Sequence, residues 1–244
     1  MRRILFSWHG LNIYSYPAML YVGLLAGVFT GALVAQASGM SADRFAVAIV
    51  ILLIPALAGS RLYFVLTRWE IYRHDPARIW RRTEGGMAMY GGFILVVPLS
   101  IPLLRWLGLP FGSFWDAAGL TILLGMAFTR IGCFLNGCCS GRPSEAWFAL
   151  FLPDHHGIVQ RRIPTQLMEM AFAMILFGAA LALRNYAPFP GAIFCSVVAA
   201  YALGRWYLES LRDDETGGRD KTVMQATSIL LVIAALAGLA FVWA

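Results

Sequence analysis

Seven long apolar stretches constrain this chain more than any other feature: roughly 13–36, 45–67, 87–104, 114–136, 166–184, 190–209 and 222–243. A hydrocarbon core takes about 20 apolar residues of helix, and each stretch meets that length or comes close. In lipid the backbone must bond within the protein, which makes such stretches helices. The expectation is an all-α polytopic integral membrane protein of about seven transmembrane helices, in a single domain over 1–244. Composition agrees, with 59% of residues hydrophobic and 13% charged, far from the soluble average. No removable signal peptide is read, because Ser7-Trp8-His9-Gly10 interrupts the run that follows Arg2 and Arg3. The third stretch is short and opens with Gly85-Gly86 and Gly91-Gly92, so it is expected to be broken or re-entrant. In 68–84, Trp69, Tyr72 and Trp80 alternate with Arg68, Arg73, Arg78, Arg81 and Arg82. That composition suits an arm lying at the membrane interface; a solvated basic loop is the alternative.

The formal charge of +6 is almost wholly arginine, with Lys221 the only lysine. On a membrane protein it implies contact with anionic head groups. No soluble basic module is present, so nucleic acid is not an expected partner. Three arginines fall inside apolar spans: Arg61 in the second, Arg130 in the fourth and Arg205 in the sixth. Each costs about 2.5–3.5 kcal/mol on insertion scales. Even-numbered spans of a serpentine run in one direction, so all three sit at similar depth near one face. Glu169, early in span five, and Glu209, late in span six, fall at that face and can lie between the cations. Tyr201, Arg205, Glu209 and Arg212 share one helical stripe. Such a stripe can hold a phosphate, because the arginine fork meets its oxygens two at a time. A packing salt bridge, or independent snorkelling of each arginine, would be the plainer reading.

The loops at that face add glycine and thiol. Residues 85–92 and Gly137 to Gly141 permit close backbone approach to a ligand. Pro164-Thr165-Gln166-Leu167 with Glu169 reads as a helix start with a capping threonine. Cys133, Cys138 and Cys139 crowd together, but Cys-x4-Cys-Cys is not a standard zinc pattern. His155 and His156 lie in the next loop. No metal and no cofactor is expected; a redox role or packing stays open for the thiols. Cys195 stands alone in an apolar helix and reads as packing.

The ordered set resembles the prolipoprotein diacylglyceryl transferases, seven-helix enzymes of the bacterial inner membrane. The resemblance is carried by Tyr16, Gly59-Ser60-Arg61, Gly85-Gly86-Met87 with Gly91-Gly92, and Arg130-Ile131-Gly132. It continues through Phe134 with Asn136-Gly137, Gly141-Arg142, Pro164-Thr165-Gln166-Leu167 with Glu169, and Arg205 with Glu209 and Arg212. It implies transfer of the diacylglyceryl group of phosphatidylglycerol, or a related anionic phospholipid, to a cysteine thiol in the signal peptide of a prolipoprotein. Glycerol phosphate leaves. It implies a catalytic set of Arg130, Arg205 and Glu209, with Tyr90 at the position of a family histidine. Tyr16, Arg61, Gly91, Gly92, Asn136, Gly137, Gly141, Gln166, Glu169 and Arg212 would contact substrate.

The chain departs from the family at Tyr90, at Cys133 (a family Asn), at Cys138 (a family Glu) and at the added Cys139. A phenol with pKa near 10 is a poor base at neutral pH. A different acceptor, or a non-transferase membrane thiol or metal protein, therefore stays open. Most of the 19 basic residues lie at the arginine face, which the positive-inside rule would put in the cytoplasm. The resemblance implies the opposite, an outward-facing site in the bacterial inner membrane, and the expectation follows it. The sequence sets no oligomeric state.

Overall fold

Each apolar stretch forms one long helix. In chain order the elements are β1 (Ile4–Trp8), β2 (Leu11–Tyr14), α1 (Ser15–Ala37), α2 (Ala42–Thr67), α3 (Trp69–Tyr72) and α4 (Met89–Leu107). They continue as α5 (Phe111–Asn136), β3 (Leu150–Pro153), β4 (Val159–Arg162), α6 (Thr165–Leu183), α7 (Ala192–Ser210) and α8 (Arg219–Trp243). The structure is a computed structural model and describes residues 2–8, 11–73, 75, 77, 79, 89–153, 157–213 and 219–243. Helices α1, α2, α5, α6 and α8 are long and apolar enough to cross a membrane, and Gly91–Leu107 of α4 is a shorter apolar helix. Helix α7 carries Arg205 and Glu209 in its last turns. The chain is an all-α, multi-pass membrane protein.

Small residues set the helix contacts, as they do where no hydrophobic effect drives association. Gly23, Gly27 and Gly31 line α1 against α5. A Cβ on Gly27 would stand 2.6 Å from the Thr121 carbonyl, while the Thr121 hydroxyl donates to the Gly27 carbonyl at 2.9 Å. Helices α2 and α4 meet in the same way. A Cβ on Gly59 would lie 2.4 Å from the Gly91 carbonyl, and one on Gly91 would lie 2.3 Å from the Gly59 carbonyl. Gly92 faces Ser60 and Ala56 of α2. Gly91 and Gly92 thus lie where α4 approaches α2 most closely. The third span, expected to be broken or re-entrant at its opening glycines, is continuous helix from Met89 through Gly91-Gly92, while Gly85 and Gly86 lie outside the described residues. Helix α4 runs on through Pro98 and Pro102, as membrane helices allow when neighbours satisfy the freed backbone.

Two antiparallel hairpins, β1–β2 and β3–β4, were not expected from the sequence. Their strands are four or five residues long, too short to stand out beside apolar helices. The first is tied to the bundle where the Arg3 carbonyl accepts the Ser15 N–H at 2.9 Å and the Arg3 side chain donates to the Asn136 carbonyl at 3.3 Å. This puts the amino-terminal hairpin at the end of α5 that bears Arg130. Of the expected arm, the described part holds the single turn α3, whose Tyr72 packs edge-on against Phe64.

At the other end of the bundle the core is aromatic. Trp115 meets Phe114 edge-on and Phe194 at a tilt, with centroids 5.7 and 4.7 Å away, and Phe45 lies 5.3 Å from Phe114. Asp116, one residue on, accepts the backbone N–H groups of Gly191 (2.7 Å) and Phe194 (2.8 Å). It therefore caps α7 from a neighbouring helix.

Candidate functional site

The final turns of α5 and α7 and the first two turns of α6 meet at one end of the bundle. Each supplies an ionised group. Arg130 donates from Nη2 to Glu169 Oε1 at 2.6 Å, and Arg205 donates from Nη1 to Glu169 Oε2 at 2.9 Å. The Tyr201 hydroxyl adds a third hydrogen bond to Oε1 at 2.6 Å. Glu169 is 2% exposed and Arg205 8%. A buried carboxylate holding one buried and one half-buried guanidinium answers the problem that the sequence posed. Without it, two cations in a low-dielectric interior would repel and lose solvation.

Glu209 extends the cluster. Its Oε2 lies 2.6 Å from Arg205 Nη2 and 3.9 Å from Arg212 Nη1. The first contact is an ion pair by distance, but no N–H is aligned on that oxygen as a hydrogen bond. Among the described guanidiniums and carboxylates of this cluster, Arg130, Arg205 and Arg212 stand against Glu169 and Glu209, three positive charges against two negative. Arg130 Nε and Gln166 Oε1, also buried at this end, have no hydrogen-bond partner among the described residues. A buried donor or acceptor left unpaired costs about 1–3 kcal/mol. A cationic N–H and an amide oxygen left open beside a net positive cluster fit a ligand that brings an anion and a donor.

The loop after α5 is fixed from three sides. Gly137, with φ 76°, closes the helix by a left-handed cap in which the N–H groups of Gly137 and Cys138 both reach the Cys133 carbonyl. Cys139 also takes a positive φ, 64°, a conformation costing about 1–2 kcal/mol in an L-residue other than glycine. Gln166 Nε2 donates to the Cys138 carbonyl at 2.7 Å, and the Thr165 hydroxyl donates to the Cys139 carbonyl at 2.8 Å. Thr165 is therefore a loop clamp, and the expected capping role is corrected: Pro164 holds the N-cap position, without a side-chain cap. Gly141 then passes between β4 and the end of α7. Its N–H bonds the Ile163 carbonyl at 2.9 Å. A Cβ there would lie 2.8 Å from the carbonyls of both Ile163 and Leu211.

This path gathers the three thiols. The sulfur atoms of Cys133, Cys138 and Cys139 all lie within 4.8 Å of one another, although their sequence spacing is not a standard zinc pattern. Hydrogen bonds from Cys133 and Cys138 hold the Cys139 thiol well below its ordinary pKa. Arg212 and Arg130 act in the same direction, against the opposing effect of burial.

Tyr16 stands at the start of α1 beside Gly132, whose missing Cβ leaves room for the Tyr16 backbone at 3.3 Å. Asn136 is the last residue of α5 and Gly137 its cap. Arg61 is not brought to Glu169 by any described contact. Its Nε donates to the Ile79 carbonyl at 3.1 Å, and its guanidinium lies 5.7 Å from the ring centres of Phe64 and Tyr72, against the arm. Tyr90 lies in the first turn of α4, and its side chain falls outside the described residues, as do Gly85, Gly86, Met87, His155 and His156. Arg162 was missed from the sequence. It is 2% exposed, pairs with Asp213 and donates to the Gly141 carbonyl at 3.3 Å. It sits in a short polar strand, where no apolar span marks an arginine as unusual.

Two apolar cavities flank the upper half of α5. One of about 380 Å3 lies among α4, α5, α7 and α8, with Val97, Leu123, Ala202 and Tyr201 in its wall. The other, of about 210 Å3, lies among α1, α2, α4 and α5 and reaches Thr129, next to Arg130.

A family model described as prolipoprotein diacylglyceryl transferase matches residues 3–241. The chain is similar to the phosphatidylglycerol–prolipoprotein diacylglyceryl transferase of Halalkalibacterium halodurans, with 31% identity over 243 residues, 96% of this chain and 84% of that protein. Similarity to the Shouchella clausii enzyme of the same name is 31% over 236 residues, covering 93% and 85% of the two chains. For a Bacillus cereus enzyme it is 30% over 231 residues, covering 91% and 84%.

Proposed function

The chain belongs to the prolipoprotein diacylglyceryl transferase family, and from that premise we propose that it moves the diacylglyceryl group of phosphatidylglycerol to the lipobox cysteine thiol of a prolipoprotein. The observation that carries this reading is the Arg130–Glu169–Arg205 brace with its surplus positive charge and its open Arg130 Nε. A phosphodiester has the one negative charge that the described cluster lacks. As the thiol sulfur attacks the glycerol carbon, the carbon–oxygen bond to phosphorus breaks and the leaving phosphate gains a second charge. Preorganised guanidiniums stabilise that added charge without reorganising, the largest kind of catalytic contribution. Glu169 holds both forks in place and Tyr201 fixes Glu169. Glu209 orients Arg205 and links it to Arg212. The apolar cavities on either side of α5 suit acyl chains entering from the bilayer.

Tyr16, Asn136 and Gln166 surround the head-group end. Arg61, Gly91 and Gly92 serve from outside it, through the arm and through the α2–α4 contact. The same reading puts the protein in the bacterial inner membrane with its arginine face outward. Expression in bacteria depleted of their own transferase tests the reading. Rescue of lipidated precursor is the expected outcome, lost in Arg130→Ala and Arg205→Ala. Glycerol phosphate released without lipidated precursor would instead mean another acceptor. No release by correctly inserted protein would overturn the reading.

A further inference from the structure

The proposed transfer needs the acceptor sulfur as a thiolate, and the described site offers no ordinary base for its proton. Glu169 is engaged on both oxygens by Arg130, Arg205 and Tyr201. Glu209 lies between Arg205 and Arg212. A carboxylate held by guanidiniums has little affinity for a proton. What the site does offer is three sulfur atoms, all within 4.8 Å of one another, on a loop clamped by Thr165, Gln166 and the Gly141 passage. Cys133 lies three residues after Arg130 on α5 and so shares its face of the helix.

We propose that Cys133, Cys138 and Cys139 hold a zinc ion whose fourth position takes the acceptor thiol and delivers it as a thiolate. This rests on the transferase reading and deepens it. Zinc–sulfur bonds of about 2.3 Å place tetrahedral ligand sulfurs about 3.8 Å apart, so the three sulfurs need to close by no more than about 1 Å. Three protein ligands with one open position is the pattern of catalytic rather than structural zinc. Copper(I) also favours soft thiolates, but it is content with three of them and leaves no place for an acceptor. A thiol that coordinates zinc is deprotonated outright. The step balances as follows. The acceptor thiol binds zinc and its proton passes to water. The sulfur lone pair forms the bond to the glycerol carbon, and the electron pair of the carbon–oxygen bond leaves with glycerol phosphate. The thioether product, a weaker ligand, then departs. No oxidant or reductant enters.

The test uses the full chain in detergent, purified under reducing conditions without chelator. Zinc titration should show one equivalent per chain and protect Cys133, Cys138 and Cys139 from alkylation. Cobalt(II) in its place should give thiolate charge-transfer absorption and the visible bands of a tetrahedral ion. Those bands should shift when a short peptide bearing the acceptor cysteine is added. Each of Cys133→Ser, Cys138→Ser and Cys139→Ser should lose the equivalent. If these variants fail to fold, the alkylation pattern of the unmodified chain decides. An unassisted thiol titrates near 8.5, so transfer without metal should fall about tenfold per pH unit below that value, whereas zinc-loaded protein should hold its rate. Absence of binding, cobalt bands that the peptide leaves unmoved, or transfer unchanged by chelation would each overturn the proposal. The metal and peptide titrations need no lipid turnover, so a failed transfer assay counts against the transferase reading alone.

Discussion

Helix α5 carries a half-buried charged residue near each end, and the two are used differently. Asp116 places both oxygens on backbone N–H groups of α7, from Gly191 and Phe194, beside an aromatic core of Phe114 and Trp115. Arg130 meets Glu169, yet its Nε and Gln166 Oε1 nearby stay unpartnered among the described residues. At the first end, hydrogen-bonding capacity is consumed within the protein; at the second, some is held open. A buried charge whose partners are all internal is a fastener. One with capacity left over is a receptor, and the cost of leaving it open is recovered when a ligand arrives.

The largest effect should come from Glu169→Gln. It leaves the Arg130 and Arg205 guanidiniums without their shared counter-charge, and breaking a buried pair costs about 3–5 kcal/mol. Thermal unfolding in detergent should move down accordingly, and transfer should fall with it. Unchanged stability would show that the two arginines have other partners. Next, Arg130→Ala or Arg205→Ala should lower transfer about 10²–10³-fold, as loss of one preorganised donor does. The acceptor peptide should still bind. Equal loss of peptide binding would mean that the arginines hold the fold rather than the leaving phosphate.

Gly141→Ala comes third. Its Cβ would meet two backbone carbonyls at 2.8 Å, and backbone cannot yield as a side-chain tip can. Overpacking of this kind costs about 1–3 kcal/mol. Gly178→Ala, in α6 with nothing within 4 Å, is the control and should be neutral or mildly stabilising. Similar losses in both would mean that the loop passage is not tight.

The two ends of α5 also differed in how far they could be read from sequence. The arginine end was legible because charge inside an apolar span is rare and because serpentine parity put Arg130, Arg205, Glu169 and Glu209 at one face. Parity says nothing of lateral position, so it could not separate Arg61, on α2 against the arm, from the two arginines that share Glu169. Periodicity was equally silent on Cys133, Cys138 and Cys139. Their convergence depends on a left-handed Gly137, a positive φ at Cys139 and two side-chain clamps from α6. Gly91 and Gly92 were seen as points of close approach, but sequence could not say that the approaching group was the backbone of α2. Asp116 went unread because nothing local marks a residue that caps a helix 75 positions away.

Asp116→Ala should have the smallest effect and bears most directly on the comparison. Losing a cap costs about 0.5–2 kcal/mol, and the freed N–H groups of α7 lie at the membrane end remote from Arg205. If Asp116 is only a fastener, stability should drop by that amount while the transfer rate per folded molecule stays the same. Asp116→Asn should recover part of the loss, since one amide oxygen can still accept. A fall in transfer beyond the loss of folded protein would show something else. The cap would then set the axial position of α7, and through it the fit of Arg205 on Glu169, so that the fastener at one end tunes the receptor at the other.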